Sequence, residues 1–181
     1  MDESGLLMAP LVRRSWAPRG HPPRLEVKGG HREKVSVAAA LWLTPSRDRL
    51  GLAYQTLVNA YFTNVEVAEL AQAAVSGLAG PVIMLWDGGT MHKGGPIREV
   101  VERSRGRLEI EPMPAHAPEL MPVEFVWRWL KYDRLCNFAP QDARHLNEAV
   151  IGELEPIRED QKLLRSFFHQ SDLPLPRTLI S

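Results

Sequence analysis

Apolar and polar residues alternate along this 181-residue chain in a way that divides it into short strands and helices. Lys34 to Leu43 alternates and then runs apolar. A second short run over residues 49–54 follows the turn residues Thr44-Pro45-Ser46, and the two predict an antiparallel hairpin. Thr63-Asn64-Val65-Glu66 has the spacing of a capping box, in which the first and fourth side chains satisfy each other's backbone N–H groups. Behind it Val67, Leu70, Ala71, Ala74 and Val75 recur at helical spacing, so a helix is expected to about Gly77. Residues 81–86 form an unbroken apolar run closed by Asp87-Gly88-Gly89, the pattern of a buried strand ending at a turn. A helix over 96–104, a strand over 108–111 and helices over 142–154 and 157–168 complete the series; Leu163, Leu164, Phe167 and Phe168 supply the last apolar stripe. Residues 6–31, broken by Pro10, Pro18, Gly20, Pro22 and Pro23, read as loop. One domain over residues 1–170 is expected, with a loose tail over 171–181.

The pattern changes most sharply over residues 112–131, PMPAHAPELMPVEFVWRWLK. Pro112, Pro114, Pro118 and Pro122 stiffen the approach, because each fixes its own φ and keeps the preceding residue out of helix. Pro122 suits a first helical turn, where its missing N–H leaves nothing unpaired. Val123, Val126, Trp127 and Leu130 then mark one buried face. Glu124 is thereby delivered to a fixed place, as a metal ligand must be. It also reads as an ordinary first-turn glutamate, favourable to the helix dipole and paired with Arg128 at i+4. Asp87 has the same two readings: a carboxylate at the strand end where α/β sheets bind ligands, or a turn-forming Asp before Gly.

Composition narrows the setting without choosing between them. Hydrophobic residues make up 44% of the chain, enough for a core of ordinary size. Lys+Arg and Asp+Glu are both 22, so net charge gives no general pull toward DNA, and any nucleic-acid surface must be local. Arg13, Arg14, Arg19, Arg24 and Lys28 supply such a patch in the 6–31 loop, which otherwise reads as a solvated basic loop. The lone Cys136 offers neither a disulfide nor a thiolate metal site, which suits a reducing cytoplasm. No signal-peptide pattern and no apolar run of about 18 residues is read, so no membrane association is expected. The glycine pairs 88–89 and 94–95 are not followed by Gly-Lys-Ser/Thr and do not make a phosphate loop. His92, between them, reads as a loop histidine without a partner.

Taken together, Asp2-Glu3-Ser4-Gly5, Trp16-Ala17-Pro18-Arg19-Gly20, a strand ending in Asp87 with His92 following, and Pro-x-x-x-Pro-Glu-Leu-x-Pro-x-Glu-x-x-Trp resemble bacterial insertion-sequence transposases of the mariner superfamily. The resemblance runs from Asp2 to about Lys131, and its last block is the most specific. It implies an α/β fold: an RNase H-like mixed sheet flanked by helices, with three strands, a helix and then the strand ending in Asp87. Asp2, Asp87 and Glu124 would be the catalytic, metal-binding carboxylates for two Mg²⁺ or Mn²⁺ ions, His92 would have an accessory role near them, and Lys131 would join Arg13, Arg14 and Arg19 in contacting DNA. The family has Asn directly after the second Asp and Tyr-Ser in the proline-rich block; Gly88 and His116-Ala117 stand here, and Met121 also departs from the pattern.

Only Met1 precedes Asp2, so most of the first strand is expected to be missing, together with the upstream helix-turn-helix module that such transposases carry. The implied function is metal-dependent DNA cleavage and strand transfer at transposon ends, with DNA and, in synapsis, a second copy as partners. The alternative is a truncated, non-catalytic remnant that at most binds DNA or a partner.

Overall fold

A strand with apolar residues on both of its faces is the centre of the molecule. The computed structural model describes residues 1–9, 11–27, 33–89, 92, 94–114 and 117–173. Strand β2 (Lys34–Leu43) lies between β1 (Asp2–Leu7) and β3 (Leu50–Val58), antiparallel to both. Because side chains alternate across a strand, Val35, Val37 and Ala39 enter one core while Ala38 and Ala40 enter another. Burial on both sides is why this stretch turns continuously apolar. At the turn end of the hairpin Trp42 pairs with Gly51, and a Cβ at Gly51 would collide with the Trp42 indole.

The first core is closed by α3 (Pro122–Arg128), α4 (Ala143–Leu154) and α5 (Gln161–Gln170). Leu146, Val150 and Leu154 of α4 and Leu164 and Phe167 of α5 are buried there; full burial of such side chains contributes about 1.5–3 kcal/mol each. The second core lies between α1 (Asn64–Gly77), α2 (Gly95–Arg103) and a parallel pair of strands, β4 (Val82–Trp86) and β5 (Leu108–Pro112). Helix α1 begins on the expected capping box, with Thr63 and Glu66 each satisfying the other's end of the first turn. Among the described residues no helix is long and apolar enough to cross a membrane.

Several expectations are corrected. The first strand is a six-residue strand paired along its length, from Asp2↔Ala39 to Leu7↔Lys34, so the loop begins beyond Leu7 rather than at Leu6. Leu6 and Met8 point into the first core and hold it there. The strands form two sheets rather than one, because β1 meets β4 at a single point, where Met1 N donates to Leu85 O at 2.8 Å. Strand β3 extends to Val58, since Gln55 and Thr56, polar in sequence, pair with Ala38 and Val37. Helix α5 starts at Gln161, four residues later than the apolar pattern suggested. Glu155–Ile157, containing Pro156, forms a separate short turn, and Asp160 caps the new helix by accepting from Lys162 N and Leu163 N. The helix after Pro122 changes winding: Trp129–Arg134 is a π-helix. Lys28, His31 and His116 lie outside the described residues, as does the expected loose tail from residue 174 onward.

Candidate active site

Helix α3 is built to hold one end of the site still. Met121 is its N-cap and Pro122 its first residue, while Val123, Val126 and Trp127 are buried beneath it. Burial leaves the Trp127 indole N–H in need of an acceptor, and Nε1 donates to Asp2 Oδ2 at 2.8 Å. Asp2 thus takes its place from β1 and its orientation from α3. On the half-buried shoulder of the same helix Glu124 lines a groove together with Arg128 and Lys131. Partial burial raises its pKa above the usual carboxylate range; the charges of Asp2 and Asp87 add to the effect, and Lys131 opposes it. Burial likewise raises the Asp2 carboxyl, against the Trp127 hydrogen bond that favours its anion. Both carboxyls are held above their ordinary values chiefly by burial, with Lys131 opposing the shift at Glu124 and the Met1 ammonium opposing it at Asp2.

Lys131 enters from the π-helix. Its ammonium donates to Ser4 Oγ at 2.6 Å, and burial lowers its pKa against the pull of Glu124 and Asp2. Ser4, Glu124, Phe125, Trp127, Arg128 and Lys131 line an open groove beside the carboxylates.

Asp87 closes β4 on the opposite side. Its Oδ1 accepts from Gly89 N at 2.9 Å and lies 2.8 Å from His92 Nδ1. His92 is not the partnerless loop residue that the sequence suggested: it is 5% exposed and stacked on Trp86, with Nε2 3.0 Å from Glu3 Oε1. Burial alone would lower its pKa; Glu3 and Asp87 outweigh that and raise it. Among the described residues no three His, Cys, Asp or Glu side chains converge tightly enough to grip one ion. Asp2 is tied to the Trp127 indole of the helix that carries Glu124, whereas Asp87 has Oδ1 turned to Gly89 and His92.

Residues 1–147 match the family model described as DDE superfamily endonuclease. The chain belongs to the DDE superfamily endonucleases. Solved structures with a similar fold include the Mos1 mariner paired-end complex with Mn, at TM-score 0.66 and 17% identity over 96% of this chain and 51% of that one. A pre-cleavage Mos1 transpososome matches at TM-score 0.64 and 16% identity, over 95% and 51% of the two chains, and the Mos1 strand transfer complex at 0.63 and 17%, over 95% and 50%. This DDE endonuclease therefore has the RNase H-like α/β fold expected of it, and spans about half the length of the Mos1 chains it matches. No curated protein matches its sequence.

The basic residues of this DDE endonuclease divide into two kinds. Arg13 is committed to its own fold: its guanidinium donates to Tyr132 O and to Asp133 Oδ1 at 2.7 Å, and its backbone exchanges hydrogen bonds with the Asn137 side chain. Arg14 and Arg19 are exposed along the segment between β1 and β2. The sequence placed His92 near the site without its partners, and set Glu3 and Ser4 in the motif around Asp2 without giving them a role. The only local signal for Glu3 and Ser4 was adjacency to Asp2, and nothing in the sequence joins Glu3 to a histidine 89 positions away.

Proposed function

We propose that this DDE endonuclease is the catalytic domain of a transposase, cleaving DNA at transposon ends and transferring the strands with Mg²⁺ or Mn²⁺ held by Asp2, Asp87 and Glu124. The observation that carries this reading is the hydrogen bond from Trp127 to Asp2, which ties the first carboxylate on β1 to the helix α3 that carries Glu124. The donor set fits hard divalent cations, which prefer carboxylate oxygen to sulfur or nitrogen. The raised carboxyl pKa values fit as well, because a bound cation would favour the anions that burial and mutual repulsion now disfavour. When bound, a two-ion centre activates the attacking oxygen and stabilises the leaving one in an in-line displacement.

The remaining tasks fall to the chain itself. Trp127 orients Asp2 through Oδ2 and leaves Oδ1 free of that bond. Lys131, tied to Ser4, carries positive charge into the groove beside Glu124, where a DNA phosphate would be drawn. Arg14 and Arg19 would add sequence-independent phosphate contacts, which position DNA without reading it. The Mos1 paired-end complex with left transposon end and the Mos1 strand transfer complex, which share this fold, support DNA as the partner. A helix-turn-helix module and a second copy in synapsis belong to the same proposal.

The test is cleavage of DNA carrying the element's ends, with Mn²⁺ or Mg²⁺, by the chain and by Asp2→Asn, Asp87→Asn and Glu124→Gln. Metal-dependent nicking by the parent alone is the expected result. Nicking that persists in all three variants would refute the assignment. The second reading, a non-catalytic remnant, is favoured by the engagement of Asp87 Oδ1 with Gly89 and His92. Metal and DNA binding without any cleavage would support it.

A further inference from the structure

His92 occupies the gap between the two sheets. Its ring lies on Trp86 with centroids 4.8 Å apart and planes 13° from parallel, and its side chain is 2% exposed. On one edge Nε2 faces both oxygens of Glu3, at 3.0 and 3.2 Å. On the other edge Nδ1 faces the Asp87 carbonyl oxygen at 3.0 Å and Asp87 Oδ1 at 2.8 Å. Glu3 follows Asp2 on β1, and Asp87 directly follows the last residue of β4. Apart from this ring, the strands are joined near the site by the bond from Met1 N to Leu85 O. The loop is drawn in close: a Cβ at Gly89 would stand 2.9 Å from Asp87 Oδ1 and 3.5 Å from His92 Nδ1.

We propose that His92 is a positioning residue that clamps β1 to the end of β4 and so fixes Asp87 relative to Asp2 for divalent-cation binding. The inference rests on the metal-site reading above. Imidazole suits the task because one rigid ring presents polar atoms at two edges and a flat face to Trp86. Both nitrogens are occupied by Glu3 and Asp87, so the ring acts through the carboxylates and not as a ligand itself. Outer groups of this kind typically change metal affinity about 10- to 100-fold when removed.

Calorimetric titration with MnCl₂ tests the clamp, using the parent chain, His92→Phe, Glu3→Met and Asp2→Asn, each checked for folding by circular dichroism without metal. His92→Phe keeps a ring against Trp86 and loses both polar edges; its Mn²⁺ affinity is expected to fall about 10- to 100-fold. Glu3→Met removes one edge and should lose about tenfold. Folded His92→Phe and Glu3→Met that bind Mn²⁺ as tightly as the parent would overturn the clamp while leaving the metal site standing. If His92→Phe fails to fold, unchanged affinity in Glu3→Met is sufficient to overturn it. A parent that takes up no Mn²⁺, or an Asp2→Asn variant that takes it up undiminished, would remove the metal site and the clamp together.

Discussion

The two halves of the molecule deliver their carboxylates by different means. In the half built on β1, β2 and β3, Asp2 and Glu124 rest on one continuous core, and a single indole touches both that core and Asp2. In the half built on β4 and β5, Asp87 stands past the end of a five-residue strand with one hydrogen-bonded neighbour, and its side chain is 54% exposed. The first pair is positioned by packing. Asp87 is positioned by the few contacts that cross between the halves, so the two parts of the site should fail under different insults.

The largest effect we predict comes from breaking the packed half. Trp127→Ala removes a buried aromatic and the donor to Asp2 together, and should destabilise the fold by about 3–5 kcal/mol. Chemical denaturation checks it, and a loss below about 1 kcal/mol would show that the helix face is not anchored as described. Next comes metal, which should tie the halves together. At a Mn²⁺ concentration a hundred times its dissociation constant, the parent should gain about 2.7 kcal/mol by mass action. Asp87→Asn should lose most of that gain while leaving metal-free stability nearly unchanged. Equal gains in parent and variant would mean that Asp87 does not share the ion.

A smaller effect sharpens the electrostatic side of the contrast. Because the Glu124 carboxyl is raised in the folded state, its contribution to stability is present at low pH and is lost as pH climbs through the folded value. Metal-free Glu124→Gln should therefore equal the parent below about pH 4 and exceed it at neutral pH, by less than about 1 kcal/mol because the side chain is only half-buried. Thermal melts across pH read the difference, and a variant less stable than the parent at pH 7 would contradict the sign. The smallest effect belongs to Arg13→Ala, which removes an exposed pair with Asp133 and should alter stability by less than about 1 kcal/mol. A larger loss would give the loop base a share in holding the packed half.

What could be read from the sequence followed the same division. Helix phase is local, so Pro122, Val126 and Trp127 already announced a buried face with Glu124 beside it, and the capping box at Thr63 announced α1. Residues that act across the chain left no such trace. The split into two sheets depends on how far β1 runs beside β4, and Gln55 and Thr56 hid the length of β3 because their partners lie on another strand. His92 was opaque for the same reason: neither Trp86 nor Glu3 stands at a spacing that any single element would enforce.

The π-helix from Trp129 to Arg134 carries a consequence for how this chain tolerates changes in length. A π turn closes its hydrogen bonds over five residues where an α turn uses four, as Leu135 N does in reaching Leu130 O. The segment therefore stores one residue beyond what ordinary winding needs. Deleting a single residue from it could restore ordinary winding and leave the helix continuous, with the residues beyond the segment facing as before. Buried Trp127, on the near side, would keep its bond to Asp2. The spare residue thus acts as an adjustable spacer between the part of the helix that holds a carboxylate and the part that carries a cation into the groove.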